Sequence, residues 1–216
     1  LEFRRVLFRS RFGRGMKMDK LHTTGNTWTH EIGKDGAFER AQTRFHETVS
    51  ADPAARHAAE PGRYHLYVSL ACPWAHRTLI VRALKGLEDA ISVDVVHPHL
   101  TDKGWSFDTD FRGATGDTVG GNDYLQQVYL AASPGYPGLI TVPVLWDKKL
   151  KTIVNNESSE IIRMLNSAFQ PYSKQPELDL YPQALRSEID AVNAWIYPNI
   201  NNGVYRSGFA QSQRAH

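Results

Sequence analysis

A strand–helix–strand pattern within residues 64–96 restricts the fold of this chain more than any other feature. Residues 64–70 form a β-type run, and Pro73 then suits the first turn of a helix, where its missing N–H costs nothing. Apolar residues follow at helical spacing: Ile80, Leu84 and Leu87. Residues 91–96 form a second β-type run. This order favours two parallel strands joined by a right-handed crossover.

A second group of elements follows a long polar stretch. Residues 99–138 lack strong periodicity and are predicted to be an insertion. Residues 141–147 and 152–155 are short β-type runs on either side of a lysine-rich turn, which predicts an antiparallel hairpin. After an Asn-Asn-Glu-Ser cap, helical spacing recurs at Ile161, Leu165 and Phe169. The order βαβ and then ββα is that of a thioredoxin-like domain, which we assign to residues 63–171.

The flanking regions have a different character. After a linker rich in proline and tyrosine, an amphipathic helix is predicted from Leu185, Ile189, Val192 and Ile196. We assign residues 179–216 to the start of a helical domain. Residues 16–62 are polar and are predicted to be an irregular extension, in which Phe38 and Phe45 are candidate anchors. The predicted fold class is α/β followed by all-α.

Residues 1–15 distort the charge of the chain. They hold five arginines and one acid, and without them the formal net charge of +2 becomes −2. The rest of the chain is mildly acidic, so no nucleic-acid partner is expected. We interpret residues 1–15 as a non-native cloning scar, with an organellar transit peptide as the alternative.

Composition argues against further classes of function. No apolar run reaches membrane-spanning length, so no membrane partner is expected. The nine histidines show no spacing typical of a metal site, so no metal is expected. A single cysteine rules out an internal disulfide and suits a reducing compartment, from which we expect a cytoplasmic location.

That cysteine, Cys72, is the candidate catalytic nucleophile. The predicted helix would direct its free N–H groups and positive dipole end at the sulfur, which favours the thiolate near neutral pH. Ala75 fills the second position of a Cys-x-x-Cys pair, so Cys72 cannot resolve its own mixed disulfide within the chain. A small-molecule thiol has to supply the second sulfur, which indicates glutathione chemistry. A buried structural thiol is the alternative.

Five sequence blocks give the chain a specific resemblance to a known family. They are Ser69–Thr78, Gly104–Phe107, Thr141–Asp147, Asn156–Met164 and Asn201–Tyr205. In this order they resemble the glutathionyl-hydroquinone reductases, the Xi class of the glutathione transferase superfamily. The resemblance implies a thioredoxin-like domain, a C-terminal helical domain and a homodimer. Because members of that family are considerably longer, we expect the glutathione-transferase helical domain to be incomplete, with the chain truncated at its C-terminal end.

The resemblance also implies an activity, which is the reductive removal of glutathione from aromatic glutathionyl-hydroquinone conjugates. Cys72 would form a mixed disulfide with glutathione that a second glutathione resolves, and Tyr205 would hydrogen-bond the quinol oxygen. A surface tyrosine is the alternative for Tyr205. Alternative functions are a general glutathione thiol-transferase or dehydroascorbate-type reductase, and a non-catalytic glutathione-binding fragment.

The same resemblance implies a set of glutathione-binding residues. They are Trp105, Leu139, Ile140, Thr141, Val142, Glu157 and Ser158. A cis Val142–Pro143 bond would let the Val142 backbone pair with the cysteinyl part of glutathione, and a trans bond is the alternative. Glu157 and Ser158 would bind the γ-glutamyl end, or act only as a helix cap. Trp105 has packing as its alternative role.

Leu139 marks a departure from the family pattern. The family often carries an arginine there for the glycyl carboxylate of glutathione. Loss of that charge-assisted bond is expected to weaken glutathione binding by about 1.5–3 kcal/mol unless another cation compensates.

Overall fold

The computed structural model of the chain describes residues 32–216. The interpretation of residues 1–15, and of the extension up to residue 31, lies outside this range. One mixed sheet is built from β1 (Tyr64–Val68), β2 (Ile91–Val95), β3 (Val144–Asp147) and β4 (Thr152–Asn155). The strand order is β2-β1-β3-β4, with β1 and β2 parallel and the other pairs antiparallel. The predicted parallel pair and hairpin are confirmed.

Three helices accompany the sheet: α1 (Pro73–Leu84), α2 (Leu125–Ala132) and α3 (Ser158–Ser167). Helices α1 and α3 contact each other, and α2 contacts β4. All five residues of β1 are buried, as expected for a central strand covered on both faces. This arrangement is thioredoxin-like, so the predicted fold class is confirmed for this part of the chain.

The structure adds two details that the sequence analysis did not contain. The stretch predicted to be an insertion contains α2, whose buried residues Leu125, Val128 and Tyr129 follow a helical repeat that is too short to stand out. In α1, the buried residues are Ala75, Thr78 and Val81. Ile80 and Leu84, whose helical spacing predicted this helix, are 45% and 47% exposed. Apolar spacing does not report which neighbours are present, so it did not identify the buried face of α1.

Two carboxylates anchor the polar stretch between β2 and α2. The Asp94 carboxylate accepts hydrogen bonds from the Thr118 N–H at 2.6 Å and from the Thr115 hydroxyl at 3.1 Å. The Asp117 carboxylate accepts from the Tyr67 hydroxyl at 3.0 Å and from the N–H groups of Val119 and Gly120. The stretch is therefore fixed to β1 and β2 despite its polar composition.

The C-terminal part is helical, with α4 (Arg186–Ile196), a five-residue π-helical turn (Tyr197–Asn201) and α5 (Asn202–Phe209). No residue of these elements is buried. Large apolar side chains that stay exposed here are Leu185, Val192, Trp195, Tyr197, Ile200 and Val204. The predicted amphipathic helix is thus present, but the described chain does not cover its apolar side. Within residues 32–216, every helix is too short or too polar to cross a membrane.

Candidate functional site

A cavity of about 490 Å³ lies among the starts of α1 and α3, the segment before β3, and the turn between α4 and α5. Its lining from these elements is Trp74, Thr141, Val142, Pro143, Asn156, Glu157, Ser158, Tyr197 and Asn202. The remaining wall is Arg40, Ala41, Gln42, Thr43 and His46. We call residues 38–46, which supply that wall, the N-terminal strap.

The N-terminal strap is fixed at both of its ends. At one end, the Phe38 ring stacks on the Tyr205 and Phe209 rings of α5, with centroids 5.7 Å apart in each pair. At the other end, the Phe45 N–H donates to Asn156 Oδ1 at 3.2 Å, and the His46 ring lies 3.0 Å from the Glu160 carboxylate. The strap therefore spans the cavity from α5 to α3.

Cys72 lies at the N-cap of α1, four residues beyond the end of β1. Its side chain is partly buried, and its Sγ is 3.6 Å from the Val142 carbonyl oxygen, to which the thiol donates. Because Val142 lines the cavity, the sulfur sits directly behind the cavity wall. The predicted position at a strand-to-helix junction is confirmed.

The charge state expected for Cys72 is wrong. Burial raises the pKa of the thiol, although the backbone N–H groups of Ala75 and Trp74 and the guanidinium groups of Arg40 and Arg77 act to lower that pKa. The helix start thus acts on the sulfur in the expected direction, but loss of hydration disfavours the thiolate more strongly. The sequence predicts that a helix starts at Cys72, but it does not predict how far the sulfur is buried.

The raised pKa gives a prediction for thiol reactivity. Iodoacetamide should alkylate Cys72 faster as pH rises, with half-maximal rate above the pKa of about 8.5 of an ordinary cysteine, because only the thiolate reacts. Intact mass reports Cys72 alone, since the chain has a single cysteine. The same chain unfolded in guanidinium is the control, with a midpoint near 8.5. A folded midpoint below that of the unfolded chain would refute the burial argument.

The Val142–Pro143 peptide bond is cis, as predicted. Ile140 and Val142 are buried, and Thr141 is partly buried. The Tyr129 hydroxyl donates to the Thr141 carbonyl oxygen at 2.8 Å and so fixes this segment against α2. Within residues 32–216, the Val142 N–H makes no hydrogen bond, so it can take an acceptor from a ligand.

Glu157 and Ser158 are neighbours at the start of α3, and both line the cavity. The Glu157 carboxylate caps α3 by accepting from the Ser159 N–H at 3.1 Å. The buried Ser158 hydroxyl accepts from Arg77 Nη2 at 2.7 Å, and that same nitrogen is 3.6 Å from a Glu157 oxygen. The start of α3 therefore offers a carboxylate, a hydroxyl and a guanidinium within one small area.

Tyr205 lies beside the cavity in a group of aromatic rings. Its ring stacks with Trp74, with centroids 6.2 Å apart, and the Arg40 guanidinium carbon is 4.3 Å from its centroid. Burial, and then the charge of Cys72, raise the pKa of Tyr205. The fold therefore places Tyr205 close enough to Cys72 for a charge on the sulfur to act on the phenol, although the two residues are far apart in the sequence.

The remaining candidates lie elsewhere. Trp105 is 9% exposed, belongs to the hydrophobic core and does not line the cavity. Leu139 and Ile140 line a second cavity of about 470 Å³ that shares part of the N-terminal strap with the first. Arg44 is the charged residue of that second lining. It is thus placed near Leu139, where the family pattern has a cation.

Sequence reasoning missed several polar contributors to the first cavity, among them Arg40, Asn156 and Asn202 of its lining. It also missed Arg77, which donates to Ser158 of that lining. Arg40 and Asn202 meet only because the chain returns after 162 positions, and no local pattern reports such a contact. The one sequence signal for the wall formed by the N-terminal strap was Arg40, which lies between Phe38 and Phe45 in an otherwise polar stretch. Among residues 32–216, no cluster of His, Cys, Asp or Glu is arranged to hold a metal ion.

Comparison with known proteins places this geometry among glutathione transferases. Residues 71–168 match the family described as glutathione S-transferase, N-terminal domain. The glutathionyl-hydroquinone reductase YqjG of Escherichia coli is 54% identical, with 88% of this chain and 60% of that protein covered. PcpF of Sphingobium chlorophenolicum, also named a glutathionyl-hydroquinone reductase, is 49% identical, with 88% and 59% covered. The chain thus spans about 60% of the length of these curated relatives.

Solved structures of glutathione transferases are similar to this chain as well. The Xi glutathione S-transferase of Phanerochaete chrysosporium superposes with a TM-score of 0.85 at 48% identity, covering 89% of this chain and 62% of that one. The glutathione-bound structure of Escherichia coli YqjG gives a TM-score of 0.76 at 55% identity, covering 84% and 59%. The likeness therefore includes both the sheet and the helical part.

Proposed function

This chain belongs to the Xi class of the glutathione transferase superfamily, and from that premise we propose that it reduces glutathionyl-hydroquinones to hydroquinones with glutathione as co-substrate. The supporting observation is the position of Cys72, whose Sγ is 3.6 Å from a carbonyl of the cavity wall. A cavity of about 490 Å³ falls in the usual range for small-molecule sites.

We propose that glutathione lies in the cavity with its γ-glutamyl end at the start of α3. The Ser158 hydroxyl and helix N-terminus receive the carboxylate, and Glu157 receives the ammonium group. The free Val142 N–H and its carbonyl pair with the cysteinyl backbone. In this pose the glutathione sulfur faces Cys72, while Thr141, Ile140 and Leu139 continue toward the glycyl end.

At the glycyl end, Arg44 takes the place of the arginine that the family often has at Leu139. This assignment rests on the shared lining of Leu139 and Arg44. Trp105 supports the site from the core in this scheme, because its ring is buried.

The reaction proceeds in two exchanges. In the first, the Cys72 thiolate attacks the glutathionyl sulfur, an S–S bond forms and the bond between sulfur and aromatic carbon breaks. The electron pair stays with the ring, which takes up a proton and leaves as the hydroquinone. In the second, a glutathione thiolate attacks the mixed disulfide, giving glutathione disulfide and the free Cys72 thiolate.

Two features of the site fit these steps. A thiol with a raised pKa yields less thiolate, but that thiolate is the stronger nucleophile. In this proposal the Tyr205 hydroxyl donates to the quinol oxygen and assists proton delivery to the ring. Tyr205 keeps its proton at neutral pH because burial raises its pKa.

The test of this proposal is steady-state release of hydroquinone from a glutathionyl-hydroquinone in the presence of glutathione. We expect one glutathione disulfide for each hydroquinone. If the chain reduces dehydroascorbate or exchanges mixed disulfides but releases no hydroquinone, the general thiol-transferase is favoured instead. Glutathione binding without any turnover would identify a binding fragment and refute the enzymatic proposal.

Binding at the start of α3 can be tested separately. Replacing Ser158 with alanine removes a donor to the glutathione carboxylate and should weaken glutathione binding about 5- to 30-fold by calorimetry. Ser167→Ala, at the exposed far end of α3, is the matched control and should bind normally. Equal affinities of the two variants would place the γ-glutamyl group elsewhere.

Three wider assignments are also proposals. We propose a division into a thioredoxin-like unit over residues 63–171 and a helical unit from residue 179. We propose a homodimer, by similarity to the family, and a cytoplasmic location, because a reactive single thiol suits a reducing compartment.

A further inference from the structure

Arg40 occupies an unusual position for a charged side chain. Its Nε donates to Asn202 Oδ1 at 2.8 Å, which ties the N-terminal strap to α5. Its guanidinium carbon is 4.3 Å from the ring centroid of Tyr205, 5.3 Å from that of Trp74 and 5.2 Å from that of Phe38. Three aromatic rings and one amide therefore hold the guanidinium in a defined place.

This cation has no counter-ion among the described residues. No carboxylate in residues 32–216 forms an ion pair with Arg40, and its Nη2 is buried without an acceptor. Arg77 differs, because it donates to Ser158 and lies near the Glu157 carboxylate. A buried charged donor without an acceptor is costly, so an anion is expected opposite Arg40.

The group that can become that anion is Cys72. Trp74, whose ring lies beside the guanidinium, sits in the first turn of α1 two positions after Cys72. The cations whose charge favours the Cys72 thiolate are Arg40 from the strap and Arg77 from α1, and charge on Cys72 in turn acts on Tyr205 of α5. Glu157 of α3 faces Arg77 and so offsets its charge. Of these two cations, Arg40 is thus the one without a carboxylate partner among residues 32–216.

We propose that Arg40 is the counter-ion of the Cys72 thiolate, so that docking of the N-terminal strap on α5 stabilises the reactive form of Cys72. Arg40 is a positioning residue in this scheme, because it acts through the sulfur. The inference uses the proposed function in taking Cys72 as the reacting atom. The N-terminal strap, which lies outside the thioredoxin-like sheet, thereby supplies the counter-ion of the reacting sulfur.

The experiment measures the pH dependence of Cys72 alkylation by iodoacetamide, with intact mass as the readout. Arg40→Gln removes the charge and should move the midpoint up by about one pH unit, with alkylation about tenfold slower at any pH below it. Arg40→Lys keeps the charge and should restore most of the rate. Lys34→Gln, an exposed lysine four residues before the strap, removes the same charge and should leave the profile unchanged.

Asn202→Ala provides a second route, because it releases Arg40 without changing any charge. This variant should move the midpoint of the alkylation profile in the same direction by a smaller amount. It tests the role of Arg40 if Arg40→Gln does not fold. Profiles of Arg40→Gln and Asn202→Ala that superimpose on the parent profile would overturn the inference. No hydroquinone conjugate is used, so absence of hydroquinone release would refute the proposed function while leaving this result intact.

Discussion

Replacing Cys72 with serine is expected to lower kcat/KM for reduction of a glutathionyl-hydroquinone by roughly 10³-fold or more, because a hydroxyl cannot form the mixed disulfide. The loss should fall on kcat, since the cavity that binds glutathione keeps its lining residues. Hydroquinone release under steady-state conditions is the measurement. Glutathione affinity by calorimetry should stay within about threefold of the parent, because the hydroxyl makes similar weak contacts.

Ala71→Ser is the matched control for that variant. It introduces the same hydroxyl at the exposed neighbouring position and should retain full turnover. Turnover by Cys72→Ser at the parental rate would exclude Cys72 as the nucleophile and with it both enzymatic assignments.

The largest effect on stability is expected at Asp147, which is fully buried at the end of β3. Its carboxylate accepts from Arg63 Nη2 at 2.6 Å and from His57 Nδ1 at 2.8 Å. Asp147→Ala removes the one buried carboxylate that the guanidinium and the imidazole share. Each then keeps only a partly exposed carboxylate partner, Glu60 for Arg63 and Glu47 for His57. Removing one member of such a pair costs about 3–5 kcal/mol of unfolding free energy, which lowers Tm by roughly 10 °C.

Urea or thermal unfolding checks that value against Asp190→Ala as the control. Asp190 forms an exposed ion pair with Arg163 at 3.3 Å, and its loss should cost at most about 1 kcal/mol. Equal destabilisation by the two variants would show that the buried network contributes no more than a surface pair.

The same network sets a pH dependence of stability. Burial acts to raise the pKa of Asp147, but hydrogen bonds from Arg63 and His57 lower it below its usual range. A depressed pKa means that the stabilisation is fully present above the unfolded-state pKa of about 3.9 and is lost as pH falls through the folded-state pKa. In the parent chain this contribution should therefore be constant near neutral pH and disappear in acid. Asp147→Ala should lack that acid-dependent part.

The sequence predicted those elements of the fold whose signals lie within a few neighbouring residues. Pro73 after Cys72 marked the start of α1, and the two short runs around a lysine turn marked the β3–β4 hairpin. Both signals lie within a few residues, and both elements are present. Helix α2 was missed because eight residues give only one buried repeat. Exposure of Ile80 depends on neighbours that its own spacing does not report.

The candidate site divides in the same way. Cys72, the cis Val142–Pro143 bond and the start of α3 lie within recognisable blocks. The last two line one cavity, and Cys72 lies behind its wall. The wall made by the N-terminal strap could not be predicted, since it depends on contacts between Phe38 or Arg40 and a helix more than 160 positions later. The raised pKa of Cys72 was also hidden, because it follows from burial of the sulfur in the folded chain.

The most direct test of the account is the intact mass of the chain after mixing with a glutathionyl-hydroquinone in the absence of free glutathione. We expect a single glutathionyl adduct on Cys72, release of an equal amount of hydroquinone, and loss of the adduct when glutathione is added. Hydroquinone release from a chain whose mass never changes would contradict the proposal that the two exchanges pass through this sulfur.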